Sequence, residues 1–354
     1  MENLIEKIEP DPFFQLKGTI PVVDVRSPSE FERGHIPNAF NIPLFNDAER
    51  AHVGTVYKQQ GRKTAIKEGL EIAGPKMVSL LNQAKKLAPE KNELLLYCWR
   101  GGMRSESMAW LFSKGDIKCH VLKGGYKNYR NSLRKQMQKN VNIIILGGYT
   151  GSGKSELLNN IKHMGEQVID LEFIAHHKGS AFGSIGQKIQ CSNEHFENLL
   201  FEEWKNLDRT KTIWIEDESK MIGRNAIPDE LFTQMRQSPV IKIVVDKDTR
   251  IKRLIEEYST FDNDILIQSI QKIKKRLGGL RTSKAEKAVA QNDFYTAIDI
   301  VLSYYDKAYE FGLSKRDKNS IIPLRLIDKN PKENAILLKN FAEENLQSKK
   351  MTFR

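Results

Sequence analysis

The sequence predicts an α/β protein made of two parallel-sheet units in tandem. Three observations carry this expectation. Strand-like and helix-like segments alternate in both halves of the 354-residue chain, as they do where helical crossovers join parallel strands. Residues 123–140 contain no Asp or Glu and six Lys or Arg, and this stretch separates the halves. A new run of strand and helix signals starts at Val141. The length agrees, because domains hold roughly 100–200 residues each.

In the first half, Ile20–Arg26 is a β-branched run read as a strand, and Ser27-Pro28-Ser29-Glu30 is a helix start. Residues 34–44 read as turns with a short strand, and residues 65–87 as helical, with Met77, Leu80, Leu81 and Ala84 on one face. Leu94–Tyr97 is a buried strand running into Cys98. Ser105–Phe112 is a helix and Ile117–Leu122 a further strand. In the second half, Val141–Leu146 is a strand, followed by a glycine-rich turn and a helix from Lys154. Strand signals recur at residues 168–170, 212–215 and 241–245, with a long helix near 192–208. Residues 250–310 read as mostly helical, and an amphipathic helix with a charged end follows Asn330. The expected domains are residues 1–130, a basic linker at 131–140, an α/β unit at 141–330, and a C-terminal helix and tail at 331–354.

Composition narrows the function. A mean hydropathy of −0.50 and short apolar runs exclude a membrane-spanning chain, which needs about 20 consecutive apolar residues. The opening MENLIEKIEPDP has no basic flank before an apolar stretch, so a cytoplasmic protein without a signal peptide is expected. Cys98, Cys119 and Cys191 are odd in number and widely spaced, which argues against a disulfide framework and a zinc finger. No haem is expected. The net charge of +11 fits an anionic partner such as nucleic acid. The sequence does not give the oligomeric state; a monomer is the expectation.

Two segments carry chemistry. Cys98-Trp99-Arg100-Gly101-Gly102-Met103-Arg104 lies between a strand and a helix, where sites form in parallel sheets. Gly101 and Gly102 allow a tight anion cradle together with Trp99 and Met103. The helix N-terminus, Arg100 and Arg104 favour a thiolate at Cys98. Cys119 and Cys191 read as inert. The segment resembles the rhodanese active-site loop. Asp24–Phe31, Gly34–Ala39 and Leu122-Lys123-Gly124-Gly125-Tyr126 match other motifs of that family. The resemblance covers about residues 15–130. It implies that Cys98 carries a chalcogen, with Arg100 and Arg104 in the catalytic loop. Residues 44–75 depart from a minimal rhodanese domain and read as an insertion.

Gly148-Tyr149-Thr150-Gly151-Ser152-Gly153-Lys154-Ser155 satisfies G-x-x-x-x-G-K-[ST] between a strand and a helix. Here Gly148, Gly151, Ser152 and Gly153 supply a backbone cradle for phosphate, Lys154 neutralises it, and Ser155 is a Mg²⁺ ligand. Asp217, in the strand-end run Glu216-Asp217-Glu218-Ser219, is the expected second Mg²⁺ partner, with Asp170 and Glu172 competing for that role. His176–Gly183, glycine-spaced and polar, reads as a substrate loop, with His176 and His177 as loop residues rather than metal ligands. Residues 271–287 carry a local charge of +6, which suits a polyanion.

The pairing of a chalcogen-carrying cysteine with a P-loop resembles the tRNA 2-selenouridine synthase family. Tyr97–Ser105, Gly147–Lys154, Gly179–Gly183 and Glu216–Ser219 carry that resemblance along nearly the whole chain. It implies a rhodanese-like domain fused to a P-loop NTPase-like α/β domain with a helical extension. The implied reaction converts wobble 2-thiouridine of tRNA to 2-selenouridine. The sulfur is first geranylated from geranyl diphosphate, then replaced by selenium from selenophosphate through S-selanylated Cys98. A geranyl chain needs an apolar slot, for which Phe173, Phe182 and Trp204 are candidates. Two rival readings stand beside this one. The first is a P-loop kinase or ATPase with a regulatory rhodanese module, in which Asp246–Leu254 precedes a lid and Arg276 and Arg281 are lid arginines. The second is a plain tRNA sulfurtransferase.

Overall fold

The computed structural model describes residues 4–88, 92–326 and 330–347. The chain divides into two compact units. The first comprises residues 1–137 together with Glu194–Glu202, and the second comprises residues 138–193 and 203–354.

The first unit contains β1 (Ile5–Ile8), α1 (Pro10–Leu16), β2 (Val22–Asp24), α2 (Pro28–Arg33) and β3 (Phe40–Asn41). There follow α3 (Asp47–Gln60), α4 (Arg62–Ala73), α5 (Met77–Leu87), β4 (Glu93–Tyr97), α6 (Met103–Ser113), β5 (Lys118–Leu122) and α7 (Gly125–Met137). Five strands form a parallel sheet in the order β1-β5-β4-β2-β3. The interior strands β4 and β5 are buried; β4 reads as the apolar run Leu94-Leu95-Leu96-Tyr97, as parallel strands covered on both faces do, while β5 also carries His120, whose ring lies 2.8 Å from the Glu93 carboxylate. β1 and α1 carry no strong period and were not anticipated. The helical stretch expected over 65–87 is two helices, broken at Gly74-Pro75 by a 3₁₀ turn. The departure over 44–75 is α3 and α4. α3 starts at a capping box in which the Asn46 side chain accepts from Glu49 N at 2.9 Å.

Residues 131–137, expected as linker, are the second half of α7. Leu133 and Met137 are buried there, one turn apart on the face that already holds Tyr126 and Tyr129. The predicted helix near 192–208 is α10 (Asn193–Lys205), and its middle belongs to the first unit. Asn198 donates to the His35 carbonyl at 2.8 Å and to Tyr126 Oη at 2.7 Å, and Lys17 pairs with Glu202 at 2.7 Å.

The second unit contains β6 (Asn142–Gly148), α8 (Lys154–His163), β7 (Gln167–Ile169), α9 (Leu171–Ala175), β8 (Thr212–Glu216) and a small hairpin of β9 (Met221–Ile222) and β10 (Asn225–Ala226). α11 (Asp229–Gln237), β11 (Val240–Val244) and α12 (Lys247–Tyr258) follow. α13 (Asn263–Lys272), α14 (Lys274–Leu277), α15 (Gly279–Ala290) and α16 (Phe294–Leu313) form the helical extension. β12 (Ile321–Arg325) and α17 (Pro331–Gln347) complete the unit. The sheet is parallel, in the order β12-β11-β6-β8-β7. β12 was not anticipated; its Pro323 fits an edge strand. α17 is part of this unit's core rather than a separate tail, since Ala335, Leu338 and Ala342 pack with Ile144, Leu158 and Ile241. Among the described residues no helix is long and apolar enough to cross a membrane.

Candidate active site

β4 delivers Cys98 at its carboxyl end, and α6 starts five residues later. Gly101 (φ +63°) and Gly125 (φ +58°) occupy the left-handed region, where glycine is favoured. A Cβ on Gly101 would lie 2.4 Å from the Leu122 carbonyl oxygen, and one on Gly125 would lie 2.2 Å from the Cys98 carbonyl oxygen. The loop at 98–102 and the turn at 122–126 therefore press backbone on backbone. Tyr126 N donates to Cys98 O at 2.9 Å and Lys127 N to Trp99 O at 3.0 Å. Cys98 is 4% exposed, and the Ser105 hydroxyl lies 3.2 Å from its sulfur. Gly102 is the residue before α6, while Trp99 and Met103 are exposed at the rim.

The two arginines differ. Arg100 is exposed and forms no ion pair among the described residues. Arg104 pairs with Glu30 through both carboxylate oxygens, at 2.6 and 3.3 Å. Burial would raise the Glu30 carboxyl, but Arg104 outweighs it and holds the acid below its ordinary value. The Arg104 charge thus fastens α2 to α6 instead of standing free beside the thiol. Behind the loop, buried Arg26 pairs with Asp24 at 2.6 Å and lies 4.0 Å from the Tyr126 ring centroid. Cys119 is fully buried, and burial pushes its thiol up to about 12. Burial also raises the Cys191 thiol.

In the second unit the strand–loop–helix of the phosphate motif is present. Gly151 and Gly153 both have φ +81°. Lys154 Nζ donates to Gly148 O at 3.0 Å and lies 3.3 Å from Glu216. Burial works against the Lys154 charge, but Glu216, Glu172 and Glu218 outweigh it and raise the ammonium above its ordinary value. Ser155 Oγ donates to Glu216 at 3.1 Å. Ser152 is buried, and its hydroxyl has no hydrogen-bond partner among the described residues. Arg253 donates to Ser152 O at 2.9 Å, and Arg250 donates to Thr150 O at 3.2 Å while gripping Asp306 at 2.8 Å. These two arginines of α12 brace the loop from outside.

Asp217 is not beside Ser155. Side chains alternate at the end of β8, so Glu216 and Glu218 face the loop while Asp217 turns away. Its carboxylate pairs with Arg316 at 2.7 Å and accepts from Tyr309 at 3.2 Å. Tyr309 in turn accepts from Gly148 N at 2.8 Å, so Asp217 braces the loop's first residue from behind. Asp170 caps α9 by accepting from Phe173 N at 2.9 Å. Among the described residues, the acids that gather are Glu172, Glu216 and Glu218, with ligand atoms within 4.8 Å of one another. Burial and then Glu216 push the Glu172 carboxyl up to about 8, and burial with Glu216 and Glu172 raises Glu218 as well. Carboxylates with the Ser155 hydroxyl form an all-oxygen donor set, which suits Mg²⁺. His176 and His177 take no part in this cluster.

The loop opens on a cleft of 1730 Å³, lined by Lys154, Ser155, the three glutamates, Gly179, Ser180 and the cations Lys272, Lys275 and Arg276. Beside it lies an apolar cavity of 60 Å³ between α12, α13, α15 and α16. Thr150, Ser180, Leu254, Tyr258 and Tyr305 line both. Of the aromatic residues expected at an apolar slot, Phe182 lines this cavity. Phe173 is 74% exposed and lines the polar cleft, and Trp204 is buried and lines neither. The roles of Ser105, Glu216, Glu218 and Tyr309 were not singled out from sequence, and of the apolar slot only Phe182 was. Only the alternation of Glu216 and Glu218 about Asp217 offered a signal for any of them.

Both units match known families. The family described as tRNA 2-selenouridine synthase AAA domain matches residues 141–325, and the rhodanese-like domain matches residues 13–132. A tRNA 2-selenouridine synthase of Bdellovibrio bacteriovorus is 36% identical over 365 residues, covering 88% of this chain and 94% of that protein. Those of Shewanella denitrificans and Nitrosomonas europaea are 34% and 33% identical, covering 84% of this chain and 89% and 90% of theirs.

Proposed function

The chain belongs to the tRNA 2-selenouridine synthase family, and from that premise we propose a division of labour between its two units. The activity is tRNA 2-selenouridine synthesis, and the partner is tRNA. In the proposed sequence, the P-loop unit geranylates the sulfur of wobble 2-thiouridine from geranyl diphosphate. In the Cys98 unit the selenium of selenophosphate then attacks C2, the C2–S bond breaks and geranyl thiol leaves with a proton, and hydrolysis of the remaining Se–P bond releases phosphate. A thiocarbonyl sulfur leaves poorly, whereas its alkylation makes C2 more electrophilic and the sulfur a better leaving group.

The observation that carries this reading is the apolar cavity shared with the phosphate cleft. A ligand with its diphosphate head in the cleft sets a hydrocarbon tail against the apolar side chains Leu254, Phe182 and Val301, whereas a nucleotide places a polar sugar and base there. Lys154 and the loop N–H groups meet the leaving diphosphate, where negative charge develops. Ser155 and Glu216, with Glu172 and Glu218 beside them, would hold Mg²⁺. That ion neutralises phosphate charge. In the Cys98 unit, the narrow backbone-walled cup excludes water from the chalcogen, Ser105 offers a proton to the sulfur, and Arg100 meets an anionic donor.

The test is mass analysis of tRNA nucleosides after incubation with geranyl diphosphate, then with selenophosphate added. Cys98→Ala should form S-geranyl tRNA and no selenouridine. Lys154→Ala should lose the first step. Selenouridine made by Cys98→Ala, or undiminished geranylation by Lys154→Ala, overturns the division.

A further inference from the structure

The two basic stretches of the sequence come to different ends in the structure. Among residues 123–140, Lys123 pairs with Glu9 at 2.9 Å and Arg130 is held by Glu197 and Asn198, while Lys127, Arg134, Lys135 and Lys139 are exposed without an ion pair among the described residues. In the stretch 271–287 no cation at all is taken up by an acid, and part of it reaches a ligand cleft. Lys272, Lys274, Lys275, Arg276, Arg281, Lys284 and Lys287 are all exposed, and none forms an ion pair among the described residues. Elsewhere in the same unit surface lysines do find acids, as Lys178 does with Glu257, Lys242 with Glu310 and Lys247 with Asp299.

The frame beneath these cations is well packed. Ile273, Leu277, Ala285, Ala288 and Val289 are buried in one apolar cluster with Leu266 and Ile270. Gly278 (φ +93°) turns the chain between α14 and α15, and Thr282 Oγ1 donates to its carbonyl at 2.9 Å. Arg281, Lys284 and Lys287 recur every three residues along α15, so they stand on neighbouring faces of one helix. The charge also runs inward. Lys272, Lys275 and Arg276 line the phosphate cleft, whereas Lys274, Arg281, Lys284 and Lys287 do not. A cleft ligand of small size therefore accounts for three of the seven cations and leaves four unexplained.

We propose that the exposed face of α14 and α15 is the surface on which the tRNA phosphate backbone docks, leading the substrate strand to the cleft. This rests on tRNA being the substrate of the P-loop unit. Unpaired cations on a rigid frame suit a polyanion, because each phosphate they neutralise releases condensed counterions. Pairing them with protein acids, as happens to Lys123 and Arg130, would remove that gain.

The test compares two variants of the full-length protein with wild type. One is Lys274→Gln, Arg281→Gln, Lys284→Gln and Lys287→Gln together. The other neutralises four exposed lysines elsewhere, Lys63, Lys162, Lys211 and Lys318. The affinity for 2-thiouridine tRNA is measured against salt concentration. The first variant should bind roughly 30-fold more weakly or worse, and its log K against log salt slope should shrink by about 3. The control variant should keep the wild-type slope. Geranyl diphosphate binding, read by calorimetry, should be unchanged in both. An unchanged slope in the first variant, or an equal loss in the control, overturns the proposal. Wild-type protein that fails to bind the tRNA overturns the functional reading instead, so the two failures are distinct.

Discussion

The Ser105 hydroxyl lies 3.2 Å from Cys98 Sγ and 3.1 Å from the Gly102 carbonyl oxygen, so a single proton has two acceptors. When Cys98 is an anion the proton goes to sulfur, since hydrogen bonds to charged groups are the stronger ones. Ser105→Ala should slow alkylation of Cys98 by iodoacetamide at neutral pH roughly tenfold, the effect of about 1.5 kcal/mol. Equal alkylation rates would assign the hydroxyl to Gly102 alone.

The cradle depends on two glycines for a different reason. At Gly125 an added Cβ meets backbone, the Cys98 carbonyl oxygen at 2.2 Å, and neither partner is a side chain that can swing away. Gly125→Ala should cost about 2–4 kcal/mol in denaturant unfolding of the rhodanese-like unit, through strain at a left-handed φ and displacement of the Cys98 loop. Selenium transfer should fall with it. Gly102→Ala, with nothing within 4 Å of the added atom, should be tolerated far better.

Asp217 and Glu216 are neighbours with opposite roles, and single substitutions separate them. Asp217→Ala leaves Arg316 buried without its acid, a loss of about 3–5 kcal/mol. Its effect should appear in the unfolding midpoint and not in the Mg²⁺ concentration needed for geranylation. Glu216→Gln should do the reverse, raising the Mg²⁺ requirement with little loss of stability. Identical behaviour of the two variants contradicts the assignment.

This pair also marks how far the sequence could be read. The motif from Gly148 to Ser155 and the loop from Cys98 to Arg104 were legible because glycine spacing and strand-to-helix context are local. The run Glu216-Asp217-Glu218 showed that carboxylates end β8, but not which side of that strand faces Ser155, a fact set by the pairing of β8 with β6. The same limit hid the partner of Arg104, since Glu30 is 74 residues away in sequence. Glu194–Glu202 joins the first unit through Asn198 and Glu202, and their contacts at Tyr126 and Lys17 have no local sequence signature. The apolar cavity draws on four helices, each of which reads as an ordinary core face by itself.

Glu172 makes the stability of the unliganded protein depend on pH. Its folded carboxyl titrates near 8, against an ordinary value of 4.5, because burial and Glu216 disfavour its charge. Between those values the folded state keeps a proton that the unfolded state has released. Stability therefore falls as pH rises through that window, by up to about 1.4 kcal/mol per pH unit for one proton. Glu172→Gln should lessen the fall of the unfolding free energy between pH 5 and 8, leaving the part due to Glu218, and make the protein more stable than wild type at the upper end. A variant with the wild-type slope would show that Glu172 is charged throughout.

The apolar cavity gives the sharpest test of what the P-loop unit binds. Ala297 lines it from α16 and is 3% exposed, so a larger side chain there must project into the space the tail would use. Ala297→Leu keeps a good helix former and adds no polar atom, though overpacking costs about 1–3 kcal/mol if the cavity cannot receive it. If the cavity takes a hydrocarbon tail, the variant should bind geranyl diphosphate at least roughly tenfold more weakly, since each buried methylene is worth about 0.8 kcal/mol and several are displaced. Inorganic diphosphate, which reaches only the loop, should bind with unchanged affinity. A parallel loss for both ligands would mean that the substitution disturbs the loop through Thr150 and Leu254, and an unchanged affinity for geranyl diphosphate would place the tail elsewhere. Calorimetry on both ligands separates these outcomes, and the unfolding midpoint of the variant confirms that the helices still pack.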